Sequence, residues 1–177
     1  MIEEERQKMD KKGIGIAYHE AAHAVVTFKL GLKIRKITIV PEGDCLGCCH
    51  HYAPFMKGDN LYSPSPATIE RVQKQIVILF AGNIAEERFV GREIEGWEDL
   101  TDTEKAYQLA CSLVGSREEL DAFLNWLFIR AKGYINNKVI WEAIDALAIE
   151  LIKKKELSGK EAFEIYRSAL LSSTSKA

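Results

Sequence analysis

The chain has no run of apolar residues approaching the roughly 18 that a membrane-spanning helix requires. Its longest candidate, residues 122–135, is interrupted by Asn125, Arg130, Lys132 and Gly133. It also has no GxxxxGK[ST] segment, which excludes a phosphate-binding loop of that type. Charge of one sign is missing as well. The 24 Lys and Arg nearly balance 26 Asp and Glu, a formal net charge of −2, so nothing favours nucleic acid or an anionic membrane as partner. The N-terminal MIEEERQKMDKK lacks the apolar centre of a signal peptide, and the chain is read as cytoplasmic. Cysteine is scarce, with four in 177 residues. In a reducing compartment these thiols are candidates for metal or redox chemistry before disulfides.

What is present is ordinary for a folded domain. Apolar residues make up 47% of the chain and charged residues 28%, enough for a core without disulfide staples. Residues 18–30 (YHEAAHAVVTFKL) have no proline and stop before Gly31, which predicts a helix. The β-branched segment 34–40 (IRKITIV) ends at Pro41 and Gly43 and reads as a strand, with 45–53 as its hairpin partner. Residues 54–66, with Pro54, Pro64 and Pro66, read as a long loop. From there the pattern is helical: 67–90, a helix capped by Thr101 or Asp102 and running to about Val114, then 117–131, 138–155 and 159–170. Thr101 with Glu104, and Ser158 with Glu161, have capping-box spacing. The expected fold class is mainly α (α+β), a helical bundle with a small β-hairpin near the N-terminus.

The strongest chemical signal is His19-Glu20-Ala21-Ala22-His23. Histidines at i and i+4 lie one above the other on a helix, so both imidazoles can reach one metal ion. Glu20 is offset in angle and sits beside the ion, within reach of metal-bound water. Zinc brings the pKa of such a water to about 7, and a neighbouring carboxylate can take its proton and return it to a leaving amine. Small and apolar neighbours (Ala17, Ala21, Ala22, Ala24, Val25, Val26) predict a buried helix, and buried histidines and a carboxylate need partners. The only other histidines are His50 and His51, so an extended three-histidine motif is excluded. Candidates for a third ligand are Glu42, Asp44, Glu86, Glu87, Asp99 and Asp102, and spacing does not choose among them.

These residues resemble a known family. AYHEAAHAVV (17–26) is similar to the zinc-binding signature of the FtsH-type AAA proteases. ITIVPEGDCLG (37–47), AGNIAEERFVG (81–91), TDTEKAYQLA (101–110) and the C-terminal IWEAIDALAIELIKKKELSGKEAFEIY resemble successive segments of its peptidase domain, in order. The resemblance implies a zinc (Zn2+) metalloendopeptidase, with His19 and His23 as ligands, Glu20 as catalytic base and Asp102 as third ligand, Asp99 being the runner-up. It implies that Glu86 and Glu87 stand behind the site. The implied layout is a charged lead-in at 1–13, an FtsH-like metallopeptidase domain at 14–172 and a flexible tail at 173–177.

The family's ATPase module and membrane helices have no counterpart in the sequence, so an AAA ATPase in trans is an expected partner and unfolded polypeptide the expected substrate. The family is hexameric, and a homo-oligomer is expected here. The apolar stretch Phe123, Leu124, Trp126, Leu127, Phe128, Ile129 suits either burial in such an oligomer or the innermost helix of a bundle. Ala22 stands where the family has glycine. Cys45, Cys48, Cys49, His50 and His51 form a further departure. They are read as edge-strand residues and buried thiols, with a regulatory cysteine ligand or a second metal site as the sharper alternative. A non-proteolytic, zinc-containing binding or regulatory module is the competing functional class.

Overall fold

A computed structural model describes residues 11–41, 46–52, 59–61, 63–93, 95–100 and 103–174. Among the described residues six helices and three short strands follow in order: α1 (Lys11–Lys29), β1 (Ile34–Thr38), β2 (Cys48–His51), α2 (Pro66–Val90), α3 (Glu104–Cys111), α4 (Arg117–Asn136), α5 (Lys138–Lys154), β3 (Glu156–Ser158) and α6 (Gly159–Thr174). A 3-10 turn at Trp97–Asp99 precedes α3. Among the described residues no helix is long and apolar enough to cross a membrane.

Helix α1 is the central element. Ala17, Ala21, Ala22, Ala24, Val25 and Val26 are fully buried around it. Alanine combines high helix propensity with a small side chain, so neighbours can approach closely on several sides. The helix ends where Gly31 takes φ 77, with Leu32 N–H donating to Thr27 O and Gly31 N–H to Phe28 O. That paired termination needs a left-handed residue, which glycine adopts without strain. Gly91 ends α2 in the same way, at φ 81. At its other end α2 is capped by Ser65, whose hydroxyl accepts from Thr68 N–H, and Pro66 fills the first turn.

α1 and α2 pack against each other, with α5 on another side of α1 and α4 behind α2. Tyr18 ties α1 to α5 through a hydrogen bond from its hydroxyl to Asp145. Its ring stacks on Phe89 at 4.2 Å and faces Trp141 at 5.7 Å. The core continues through Phe80, Leu124, Leu127, Phe128, Ile144, Leu147 and Leu151, all buried.

The sheet has the order β2-β1-β3 and is antiparallel throughout. Ile37 pairs with Cys49 on one side and Leu157 on the other, and Ile34 pairs with His51 after an irregularity between Ile34 and Lys36. Gly159 carries the chain from β3 directly into α6. A Cβ there would lie 2.0 Å from the Ile34 carbonyl oxygen, so only glycine permits this approach. Glu161 closes the predicted capping box, accepting from Ser158 N–H and Oγ–H while its own N–H donates to Ser158 Oγ.

The mainly helical class and the hairpin are as expected, and four details differ. α1 starts at Lys11, seven residues before the predicted 18–30 helix, because the glycines at 13 and 15 do not interrupt it. β3 has no counterpart in the sequence reading, since three residues are too few to show a period. α3 opens at Glu104 with Thr103 in the cap position and no side-chain cap bond, while the predicted caps, Thr101 and Asp102, lie outside the described residues. In α4, Leu124, Leu127 and Phe128 pack inward, whereas Trp126 is 41% and Ile129 59% exposed. The stripe therefore has one core face and one outer face.

Candidate metal centre

α1 presents His19, Glu20 and His23 toward α2 and β2. The two imidazoles meet edge to face, with centroids 4.6 Å apart at 81°. Their Nε2 atoms are 3.0 Å apart. Each ring is anchored through its other nitrogen. His23 Nδ1–H donates to the Ile78 carbonyl at 2.7 Å, and His19 Nδ1–H donates to Glu86 Oε2 at 3.1 Å. A carbonyl and a carboxylate can only accept, so both neutral rings carry their proton on Nδ1 and turn a bare Nε2 lone pair toward the other.

Two lone pairs facing at that distance repel unless a cation lies between them. A proton on His23 is opposed by burial, which pushes its pKa well below the usual value, and by the neighbouring His19. A metal ion supplies positive charge at the point where the two lone pairs meet. Zinc at about 2.0–2.1 Å from each nitrogen, with tetrahedral angles, holds such a pair about 3.3 Å apart. The rings stand within a few tenths of an ångström of that spacing. The outer hydrogen bonds to a carboxylate and a main-chain carbonyl are the kind that orient metal-bound histidines.

Gly82 of α2 completes the cradle. A Cβ at this position would lie 2.6 Å from His19 Nε2 and 2.6 Å from His23 Nε2. The space in front of the two nitrogens exists only because a glycine occupies this buried helical position. Glu86, one turn further along α2, is held below the usual carboxylate range by the His19 hydrogen bond, against partial burial. Glu87 points elsewhere and pairs with Arg92.

Glu20 is 6% exposed. Burial pushes its carboxyl up to about 7, although the neighbouring His19 and the Cys49 N–H, which donates to it, both pull the other way. The approach of β2 explains that contact. A Cβ on Gly47 would lie 2.8 Å from Ile16 and 2.9 Å from Glu20, so the chain passes over the carboxylate only as glycine. A carboxyl poised near neutrality beside a cation site can exchange a proton with a bound reactant at working pH.

The remaining predicted residues fall as follows. Cys49 and His51 lie one strand period apart, and the His51 Nδ1 is 3.4 Å from Thr27 Oγ1. Burial, with the nearby Glu20 charge, pushes the Cys49 thiol well above its usual pKa, so it is a protonated thiol. Cys48 is half-buried, and His50 shares its strand. Among the described residues no three His, Cys, Asp or Glu side chains converge on a point suited to a metal. Cys45, Asp102, Glu42 and Asp44 lie outside the described residues, as does the side chain of Asp99. Sequence reasoning did not single out Gly82, Gly47 or the Ile78 carbonyl. A glycine inside an otherwise strong helix costs about 1 kcal/mol relative to alanine. That cost was the available signal for Gly82.

Residues 5–117 match the model of peptidase family M41. The chain is 33% identical over 165 residues to the ATP-dependent zinc metalloprotease FtsH 2 of Thermoanaerobacter sp. (strain X514), covering 80% of this chain and 31% of that protein. It is 37% identical over 100 residues to the ATP-dependent zinc metalloprotease FtsH of Protochlamydia amoebophila (strain UWE25), covering 55% and 10%. The corresponding protein of Metamycoplasma arthritidis (strain 158L3-1) is 33% identical over 107 residues, covering 59% and 13%. The chain spans less than a third of the length of these curated relatives.

Proposed function

The chain belongs to peptidase family M41, and on that premise we propose that it is a zinc metalloendopeptidase acting on unfolded polypeptide. The observation that carries this reading is the pair of Nε2 lone pairs 3.0 Å apart, framed by Gly82 and flanked by the buried Glu20. His19 and His23 would hold zinc, with Asp102 as the third ligand. Bound there, zinc would supply Lewis acidity that polarises a carbonyl and acidifies water.

The chain's own residues supply the rest. Glu20, with a carboxyl titrating near neutrality, accepts a proton from the attacking water and returns it to the departing amine. The Cys49 N–H and the close pass of Gly47 fix the orientation of its carboxylate. Glu86 and the Ile78 carbonyl hold the two imidazoles in the tautomer that binds metal. Among the described residues β2 pairs only with β1. Its other edge suits an extended substrate adding as a further strand, a geometry open only to unfolded chain. The relatives named ATP-dependent support an AAA ATPase partner in trans, and the family resemblance supports a homo-oligomer, with residues 14–172 as the catalytic domain in the cytoplasm.

The test is zinc stoichiometry together with cleavage of casein and a quenched peptide, with and without chelator. One tightly held zinc and chelator-sensitive cleavage that disappears in Glu20→Gln support the reading. Zinc binding without cleavage of any unfolded substrate refutes it in favour of a binding module. Asp102→Ala is expected to lower zinc affinity far more than Asp99→Ala, and the reverse order exchanges the two assignments.

A further inference from the structure

Where β2 leaves the candidate centre it runs to the rim of a cavity of about 580 Å³ between the C-terminal end of α1 and the start of α6. That volume lies within the range of specific ligand pockets. Its walls are apolar: Phe28 and Phe163, whose rings meet edge to face at 5.3 Å, together with Leu32, Ile34 and Tyr52. Leu32 is 37%, Phe163 39% and Tyr52 54% exposed, so large apolar side chains stand open to solvent at one place. Among the described residues the charged side chains lining it are Lys33 and Lys160, and the Arg35 guanidinium lies 5.2 Å from the Tyr52 ring. Of the nearby acids, Glu161 is engaged by Ser158 and Lys154, and Glu156 by Lys36.

The register of the sheet connects this cavity to the centre. Cys49 donates its N–H to Glu20, and Ile34, the partner of His51, lines the cavity with Tyr52. Three residues of strand separate Cys49 from Tyr52, a distance of about 10 Å. A chain lying along β2 at the centre therefore reaches the cavity about three residues from the bond beside Glu20.

We propose that this cavity is a substrate subsite, which takes a large aromatic or aliphatic side chain of the polypeptide about three residues from the cleaved bond and favours an acidic residue next to it. The inference rests on the peptidase reading and adds a selectivity to it. The apolar walls bury the side chain, and Lys33 and Lys160 attract the neighbouring carboxylate.

The test uses C-terminally amidated peptides in which a Phe-Asp pair is moved from two to five residues on either side of one cleavable bond. Each is compared with an Ala-Asn pair at the same place. Cleavage is followed by kcat and KM, and binding to the zinc-loaded protein by fluorescence anisotropy. One position about three residues away is expected to raise kcat/KM about tenfold, through KM, and to tighten binding by a similar factor. Leu32→Asp, at an exposed position, brings both ratios close to one. Lys33→Glu with Lys160→Glu removes the part due to Asp. Trp126→Ala, on the outer face of α4, keeps both ratios, and melting curves check that each variant folds. Ratios near one at every position in the wild type overturn the subsite, as do ratios unchanged by the Leu32 and lysine variants. A cavity-dependent binding preference without cleavage supports the subsite and refutes the peptidase reading alone. Cleavage without any preference does the opposite.

Discussion

Replacing Gly82 by alanine adds one methyl group at the point where the centre can least accept it. The new Cβ would stand 2.6 Å from each of the two Nε2 atoms. Ordinary contact begins near 3.4 Å, so both rings, or the whole of α2, must give way by about 0.8 Å. His23 is pinned on Ile78 O at 2.7 Å and His19 on Glu86 at 3.1 Å. Neither ring can retreat without losing its outer hydrogen bond. Loss of such an outer bond alone lowers metal affinity about 10–100-fold, and here the methyl also fills the space between the donors, so a fall of at least about 100-fold is expected. Overpacking adds about 1–3 kcal/mol of destabilisation. The assay is competition for zinc against a chromophoric chelator, with thermal melting in parallel. Gly133→Ala is the matched control. It makes the same chemical change in the last turn of α4, where a Cβ meets nothing within 4 Å. That variant keeps wild-type zinc affinity and gains up to about 1 kcal/mol. A Gly82→Ala protein that binds one zinc as tightly as wild type would refute the geometric argument for the centre.

Three further outcomes are expected. Glu20→Gln keeps bound zinc and loses about 100- to 10,000-fold in kcat, measured on a quenched peptide with zinc content determined in the same sample. Glu86→Ala leaves the fold intact but lowers zinc affinity about 10–100-fold, because His19 loses the acceptor that fixes its ring; chelator competition measures it. Phe128→Ala removes a ring that is 1% exposed and packs edge to face with Phe80, costing about 3–5 kcal/mol, read from chemical denaturation.

The juxtaposition of His19, Glu20 and His23 was legible because the chemistry and the period coincide. Two histidines four apart within an alanine- and valine-rich helix define both a candidate ligand pair and its burial. Ser158 with Glu161 was legible for the same reason, as a local rule that local geometry can satisfy. What escaped depends on partners distant in the chain. Gly82 matters through side chains 63 and 59 residues before it, at positions 19 and 23. β3 is a strand only because β1 lies beside it, and a single buried leucine, Leu157, carries no periodicity. α3 begins at Glu104 behind Thr103, which makes no side-chain cap bond, so nothing local to its first turn announces that start. Trp126 shows the limit of composition, since a dense apolar stretch does not say which of its faces meets the core.

The junction at Gly159 bears on how small a working version of this molecule can be. The family match stops at residue 117, yet the strand that flanks β1 comes from residues 156–158, and α6 is seated directly against the Ile34 carbonyl. A fragment trimmed to the matched region would strip β1 of one neighbour and leave a two-stranded ribbon, which is marginal in water. The backbone segment that steadies Glu20 would then hang from that ribbon. The C-terminal sixty residues thus act as a brace for machinery encoded at the opposite end of the chain, and trimming is expected to cost catalysis before it costs the ligands themselves.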